Sequence, residues 1–142
     1  MSPKNVNTVL AAACALFALY LGLSFILAPE ASTQGVGLPS WPADNSDGYL
    51  IMKGTRELAM GLVIGILLVT GHRRALGWVL LMEAVAPSGD MINVLAHHGS
   101  IATAFGIHGL TSAFIAATGL LILRETSKAH KAPAPAPAEQ PA

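Results

Sequence analysis

Ionisable side chains interrupt the long apolar segments of this 142-residue chain. The segment GWVLLMEAVAPSGDMINVLAHH, residues 77–98, contains two carboxylic acids, Glu83 and Asp90. Two other apolar segments contain Glu57 and His108. Carboxyl and imidazole groups exchange protons, and a carboxyl group in a water-poor pocket can act as a general acid. The candidate catalytic residues, for acid/base chemistry such as isomerisation or cyclisation, are therefore Asp90, Glu83, His108 and Glu57.

Three further polar residues lie near these groups in the sequence and are candidates for binding a substrate: Arg56, Asn93 and Lys53. Arg56 presents several N–H donors in one plane, so it is expected to hold an anionic or carbonyl oxygen, and either to contact Asp90 directly or to share one ligand with it. No cation is expected at the level of Glu83 along the predicted helices, and an unpaired buried carboxylate usually becomes neutral by taking up a proton. We therefore expect Glu83 to be protonated and to donate a hydrogen bond.

The motifs of common enzyme classes are missing from the sequence. It contains no GxSxG, no HExxH, no phosphate-binding loop and no dinucleotide fingerprint. Only one histidine lies inside an apolar segment, which argues against a haem. We expect neither a metal ion nor another cofactor.

The composition indicates a membrane protein. Hydrophobic residues make up 53% of the chain and charged residues only 11%, whereas soluble domains carry about 25% charged residues. The eight basic and eight acidic side chains balance, and no basic stripe is present that could bind nucleic acid. The single cysteine, Cys14, excludes an internal disulfide.

Four segments have the length of about 20 apolar residues that a bilayer requires. They are residues 9–28, 50–70, 75–96 and 101–123. The sequence therefore predicts an all-α integral membrane bundle of four transmembrane helices within residues 1–124. Pro87 lacks an N–H group and clashes with the carbonyl of Glu83, so the third helix should be kinked or broken there. The Ala/Pro-rich residues 125–142 should form a disordered tail.

The rise of a helix, about 1.5 Å per residue, converts sequence position into depth. By that measure Arg56, Glu57, Asp90 and His108 come from three helices yet lie at nearly one depth, roughly 9–10 Å from the same membrane face. Glu83 is the exception and should lie about two turns deeper. A charged group inside a bilayer costs roughly 2.5–3.5 kcal/mol unless it finds a partner or a water-filled cavity. Such a layer predicts either a ligand pocket or a set of polar contacts that only fixes the packing of the helices.

Five segments carry a resemblance to a known family: LGLSFILAPE, MKGTRELAMG, RRALGWVL, APSGDMINV and GIHGLTSA. In order and spacing they resemble the small integral membrane proteins catalogued as domain of unknown function 4267. The typical pattern of that family is "GxRD", and in this sequence Glu57 stands at the position of its aspartate. The resemblance implies four membrane helices and a distant likeness to DoxX-type proteins, but it implies no established reaction.

Three functions are compatible with these features. The first is an intramembrane enzyme or binding protein for a small lipophilic molecule. The second is a non-catalytic scaffold or accessory subunit, DoxX-like and quinone-linked, whose polar layer only fixes packing. The third, proton-coupled efflux, would require a homo-oligomer, because four short helices barely enclose a path. The expected partners are the lipid bilayer and a small lipophilic ligand, without nucleic acid.

The basic residues predict the orientation of the chain in a membrane, which we expect to be the bacterial inner membrane. Arg73, Arg74, Arg124 and Lys128 all fall on one side of a four-span bundle, which places both termini in the cytoplasm. Cysteines introduced at Ser40 and Ser127 should therefore react with impermeant reagents from opposite sides of the membrane. Labelling of both positions from one side would show that the four-span topology is wrong.

Overall fold

The computed structural model describes residues 2–33, 35–39 and 46–131 of the chain, and all regular structure in these residues is helical. The helices are α1 (Pro3–Leu27), α2 (Pro29–Thr33), α3 (Ser46–Val69), α4 (Arg73–Glu83), α5 (Val85–Ala96), α6 (Ile101–Thr103), a π-helix (Ala104–Gly109) and α7 (Leu110–Lys131). The predicted all-α class is confirmed. The helix α7 continues past residue 124, the predicted end of the helical domain, and residues 132–142 of the predicted tail lie outside the described residues.

Three helical stretches are long and apolar enough to cross a membrane, as expected of a multi-pass membrane protein: Pro3–Leu27, Arg73–Ala96 and Ile101–Lys128. The helix α3 is not among them, although its 24 residues would reach about 36 Å. Every 18-residue stretch of α3 includes the three charged residues Lys53, Arg56 and Glu57. The fourth span therefore stays a prediction.

The long helices pack as two pairs, and glycines allow the backbones of each pair to approach closely. In the pair α1–α3, a Cβ atom added to Gly22 would lie 2.9 Å from the carbonyl oxygen of Gly54. In the pair α4–α7, a Cβ atom added to Gly119 would lie 2.8 Å from the carbonyl oxygen of Gly77. Close contact between small residues is a common way of joining membrane helices, because lipid offers no hydrophobic driving force for their association.

A polar cluster joins the two pairs at the end of the bundle that holds Pro3 and the turn before α4, which we call the terminal end. The guanidinium of Arg73 donates to Glu125 Oε2 at 2.8 Å and to Thr8 Oγ1 at 3.0 Å. Its Nε lies 2.7 Å from Glu125 Oε1, without the alignment of a hydrogen bond. The buried Asn7 donates to Glu125 Oε2 at 2.7 Å. One carboxylate thus connects α1, α4 and α7.

The bundle is tightly packed next to this cluster and open at the opposite end. A core of small and aliphatic side chains follows the cluster: Ala11, Cys14, Ala15, Ile64, Leu76, Leu80 and Ile122. At the opposite end, which we call the loop end and which holds residues 28–33, 35–39 and 97–100, the pairs diverge. Among the described residues, no Cα atom of α3 lies within 8 Å of a Cα atom of α5, and none of α1 lies within 8 Å of one in the π-helix.

The helices α4 and α5 follow each other with only Ala84 between them. The N–H of Ala84 donates to Leu80 at 3.1 Å, and its carbonyl accepts from the Ser88 N–H at 3.3 Å and from the Ser88 and Ser112 hydroxyls at 2.9 Å. This interruption lies three residues before Pro87, whose missing N–H leaves the carbonyl of Glu83 without its usual helical partner. The predicted kink of the third helix near Pro87 stays a prediction.

The glycine contact between α1 and α3 predicts a sharp difference between two substitutions on the same helix. Gly54→Ala should destabilise the protein by about 1–3 kcal/mol, because the new methyl group would overlap the backbone of α1. Gly65→Ala is the matched control, since no atom lies within 4 Å of its added Cβ, and it should leave stability unchanged or slightly raised. Thermal unfolding of both variants in one detergent checks this; equal losses would contradict the close contact.

Candidate functional site

A cavity of about 490 Å³ occupies the space where the two helix pairs diverge. One face of α1, formed by side chains about three or four residues apart, is the largest apolar wall of the cavity. It consists of Phe17, Tyr20, Leu21 and Phe25. Ile64, Ile107 and Ile115 add aliphatic side chains from the other helices. No sequence pattern identifies this wall, because α1 is apolar on all sides and its composition does not show which face turns inward.

All four candidate catalytic residues line this one cavity: Asp90, Glu83, His108 and Glu57. Lys53, a candidate for substrate binding, lines it as well. The other two candidates for substrate binding do not. Arg56 and Asn93 are exposed and are not part of the cavity lining.

A salt bridge between α3 and α5 crosses the gap between the helix pairs. Lys53 Nζ lies 2.9 Å from Asp90 Oδ2 and 3.5 Å from Glu57 Oε1. The same ammonium lies 5.6 Å from the centroid of the Phe25 ring. Because the backbones of α3 and α5 stay apart, the long side chain of lysine supplies the reach that connects them.

The predicted contact between Arg56 and Asp90 is wrong, since Lys53 takes the position next to Asp90. The reason is the rotation of α3 about its own axis. Gly54 faces α1, and Arg56, two residues later, lies about 200° around the helix from it. Arg56 therefore points away from the cavity, whereas Lys53 and Glu57 share one face at a spacing of four residues.

The π-helix presents His108 to two different partners. His108 Nε2 lies 3.0 Å from the carbonyl oxygen of Val36, and Nδ1 lies 4.0 Å from Asp90 Oδ2. The imidazole side chain is only 11% exposed. A π-helix is rare and occurs often at functional sites. The contact with Val36 ties the segment after α2 to the π-helix at the loop end, and no sequence pattern predicted it.

Glu83 lines the cavity without a partner among the described residues: it takes part in no salt bridge and no side-chain hydrogen bond there. That Glu83 is protonated stays a prediction. Within the described part of the chain, no cluster of three His, Cys, Asp or Glu side chains could hold a metal ion.

Comparison with known proteins identifies one relationship. The family described as "Domain of unknown function (DUF4267)" matches residues 15–122, which include every side chain of the cavity except Cys14. No curated protein and no solved structure matches the chain.

The salt bridge across the gap can be tested with a double-mutant cycle. Lys53→Met and Asp90→Leu should each lower the free energy of unfolding by about 1–3 kcal/mol, between the values for exposed and fully buried pairs. The double variant should lose clearly less than the sum, because neither charge is then left without its partner. Arg56→Met combined with Asp90→Leu is the matched control and should be additive. Additive losses for Lys53 and Asp90 would contradict the pairing.

Proposed function

Because this chain belongs to the family described as "Domain of unknown function (DUF4267)", whose name assigns no reaction, we propose its function from the geometry of the site. The protein is a four-span membrane protein that binds a small lipophilic molecule in the cavity between its two helix pairs. The observation that carries this proposal is that one cavity is lined both by a long apolar wall and by a cluster of polar side chains. Its volume of about 490 Å³ is typical of sites for small molecules, about 300–1,000 Å³.

The distribution of the lining side chains favours an amphiphilic ligand. The aromatic and aliphatic side chains of α1 would contact an apolar body, and the group formed by Lys53, Asp90, Glu57 and His108 would contact one polar head. A ligand buried in this way gains about 25 cal/mol per Å² of apolar surface removed from water. The polar groups would then fix its orientation by hydrogen bonds.

The side of the cavity between α1 and the π-helix favours entry from the bilayer. The salt bridge of Lys53 spans the side between α3 and α5, and His108 joins Val36 at the loop end. Between α1 and the π-helix no such bridge is present in the described residues, and two lining side chains are well exposed, Tyr20 at 64% and Ile107 at 47%. A lipophilic molecule could reach the cavity through this side without passing through water.

The charges of α3 support its role as the fourth span. The hydrocarbon core excludes a charge that has no partner, and Lys53 and Glu57 have partners inside the bundle. Arg56 lies ten residues, or nearly three turns, after the first residue of α3, and its long side chain can extend the charged group toward the membrane surface. With four spans, the terminal end and its exposed Lys4 and Arg74 face the cytoplasm.

The cavity also contains groups for acid/base chemistry on the bound molecule. Asp90 and the imidazole of His108 lie side by side, and Glu83 is a separate carboxyl group in the same space. A proton donor and a proton acceptor at two positions of one cavity are what an isomerisation or a cyclisation requires. We assign these roles to Asp90, Glu83, His108 and Glu57, with Lys53 as the residue that binds the head group.

The proposal predicts that the purified protein carries a small molecule, which native mass spectrometry of the protein released from nanodiscs would detect. Ala86→Phe should remove this molecule by filling the cavity, because Ala86 lines it. Ala117→Phe is the matched control, since Ala117 is exposed and outside the cavity lining. A wild-type protein without any bound molecule, and with no added lipophilic compound raising its unfolding temperature, would contradict the proposal and favour the scaffold alternative.

A further inference from the structure

We propose that the head group accepted by this cavity is a positively charged amine, so that the ligand is a cationic amphiphile. The inference rests on the proposed function, because it concerns the same cavity. Two observations carry it: the balance of charged groups in the lining and the aromatic rings beside them.

The acidic groups of the cavity outnumber its basic groups. Among the described residues, three carboxyl groups line it, those of Glu57, Glu83 and Asp90, and the only ammonium group is that of Lys53. Even if His108 is protonated, two cations face three carboxyl groups. Because a low-dielectric space penalises an uncompensated charge, the cavity favours a ligand that brings one positive charge.

By this count, Glu83 is the carboxyl group to which no cation of the described lining is assigned. The ammonium of Lys53 is already shared between Asp90 at 2.9 Å and Glu57 at 3.5 Å. Glu83 has no salt bridge among the described residues. An amine can take the proton of a neutral Glu83 and pair, as an ammonium, with the carboxylate that remains. A fatty acid or a phosphate cannot do so, and it would meet like charges.

The aromatic wall of the cavity also suits an ammonium group. The face of an aromatic ring attracts a cation within about 6 Å of its centroid. The ammonium of Lys53 already lies 5.6 Å from the centroid of Phe25. Phe17 and Tyr20 lie on the same helix and line the same cavity, so a second cation would find ring faces as well as a carboxylate.

Three probes with one chain length test the charge of the head group: decylamine, 1-decanol and decanoate. Their binding is measured by calorimetry on the full-length protein in phosphatidylcholine nanodiscs, against empty nanodiscs, below the concentrations at which the probes form micelles. The amine should bind at least about tenfold more tightly than the alcohol, and decanoate should bind most weakly. Ala86→Phe should abolish the binding of all three probes.

Matched variants separate a contact with Glu83 from a general effect of charge. Glu83→Gln should weaken amine binding about tenfold and leave alcohol binding unchanged. Glu30→Gln should change neither, because Glu30 is exposed on α2 and is not part of the cavity lining. Phe17→Leu keeps every charge and should weaken the amine more than the alcohol, so it serves as the test if Glu83→Gln does not fold.

The outcomes distinguish this inference from the proposed function. Three results would overturn the inference of an amine head group: equal binding of amine and alcohol, tightest binding of decanoate, or an amine preference that survives both Glu83→Gln and Phe17→Leu. If Ala86→Phe still abolishes the binding in those cases, the cavity remains a ligand site. Absence of binding by all three probes, together with a purified protein that carries no small molecule, would overturn both.

Discussion

The salt bridge between Lys53 and Asp90 is the interaction on which the open half of this structure depends. It connects helices whose backbones do not come within contact distance there. In the four-span bundle that we propose, hydrocarbon would not solvate either charge, and the salt bridge lets the two groups meet inside the protein. Because a lysine side chain is long, Lys53 can reach Asp90 while the backbones of α3 and α5 stay apart, which leaves space between the two helices. The same constraint that draws the charges together therefore keeps a cavity open next to them.

The cavity lies in only one half of the bundle because the glycine contacts and the polar cluster hold the other parts together. The contact of Gly22 with Gly54 joins α1 to α3, and that of Gly77 with Gly119 joins α4 to α7. Arg73 and Glu125 then connect the pairs at the terminal end. Beyond the apolar core that follows this cluster, the described residues bridge the gap through the salt bridge of Lys53 with Asp90 and the contact of His108 with Val36. The tight half can supply stability while the open half retains partly exposed charged groups.

The chemistry of the site follows from this division. His108 contacts the segment after α2 and lies 4.0 Å from the carboxylate of Asp90. One imidazole therefore both joins the segments at the loop end and contributes to the electrostatics of the cavity. Glu83 lies in the same cavity without a partner among the described residues. The proposed binding of a polar head group draws on this carboxyl group beside a shared ammonium, since a purely structural layer of polar residues is expected to pair every group.

The sequence by itself determined the helical class and the membrane character. It also predicted a common depth for Glu57, Asp90 and His108 from the constant rise of a helix; the three side chains line one cavity, and their depth in a membrane stays a prediction. Only the tertiary structure decided which side chains turn inward. That choice depends on the rotation of each helix against its neighbour. The contact of Gly54 with α1 turns Lys53 toward Asp90 and Arg56 away from it, and no local pattern in α3 contains this information.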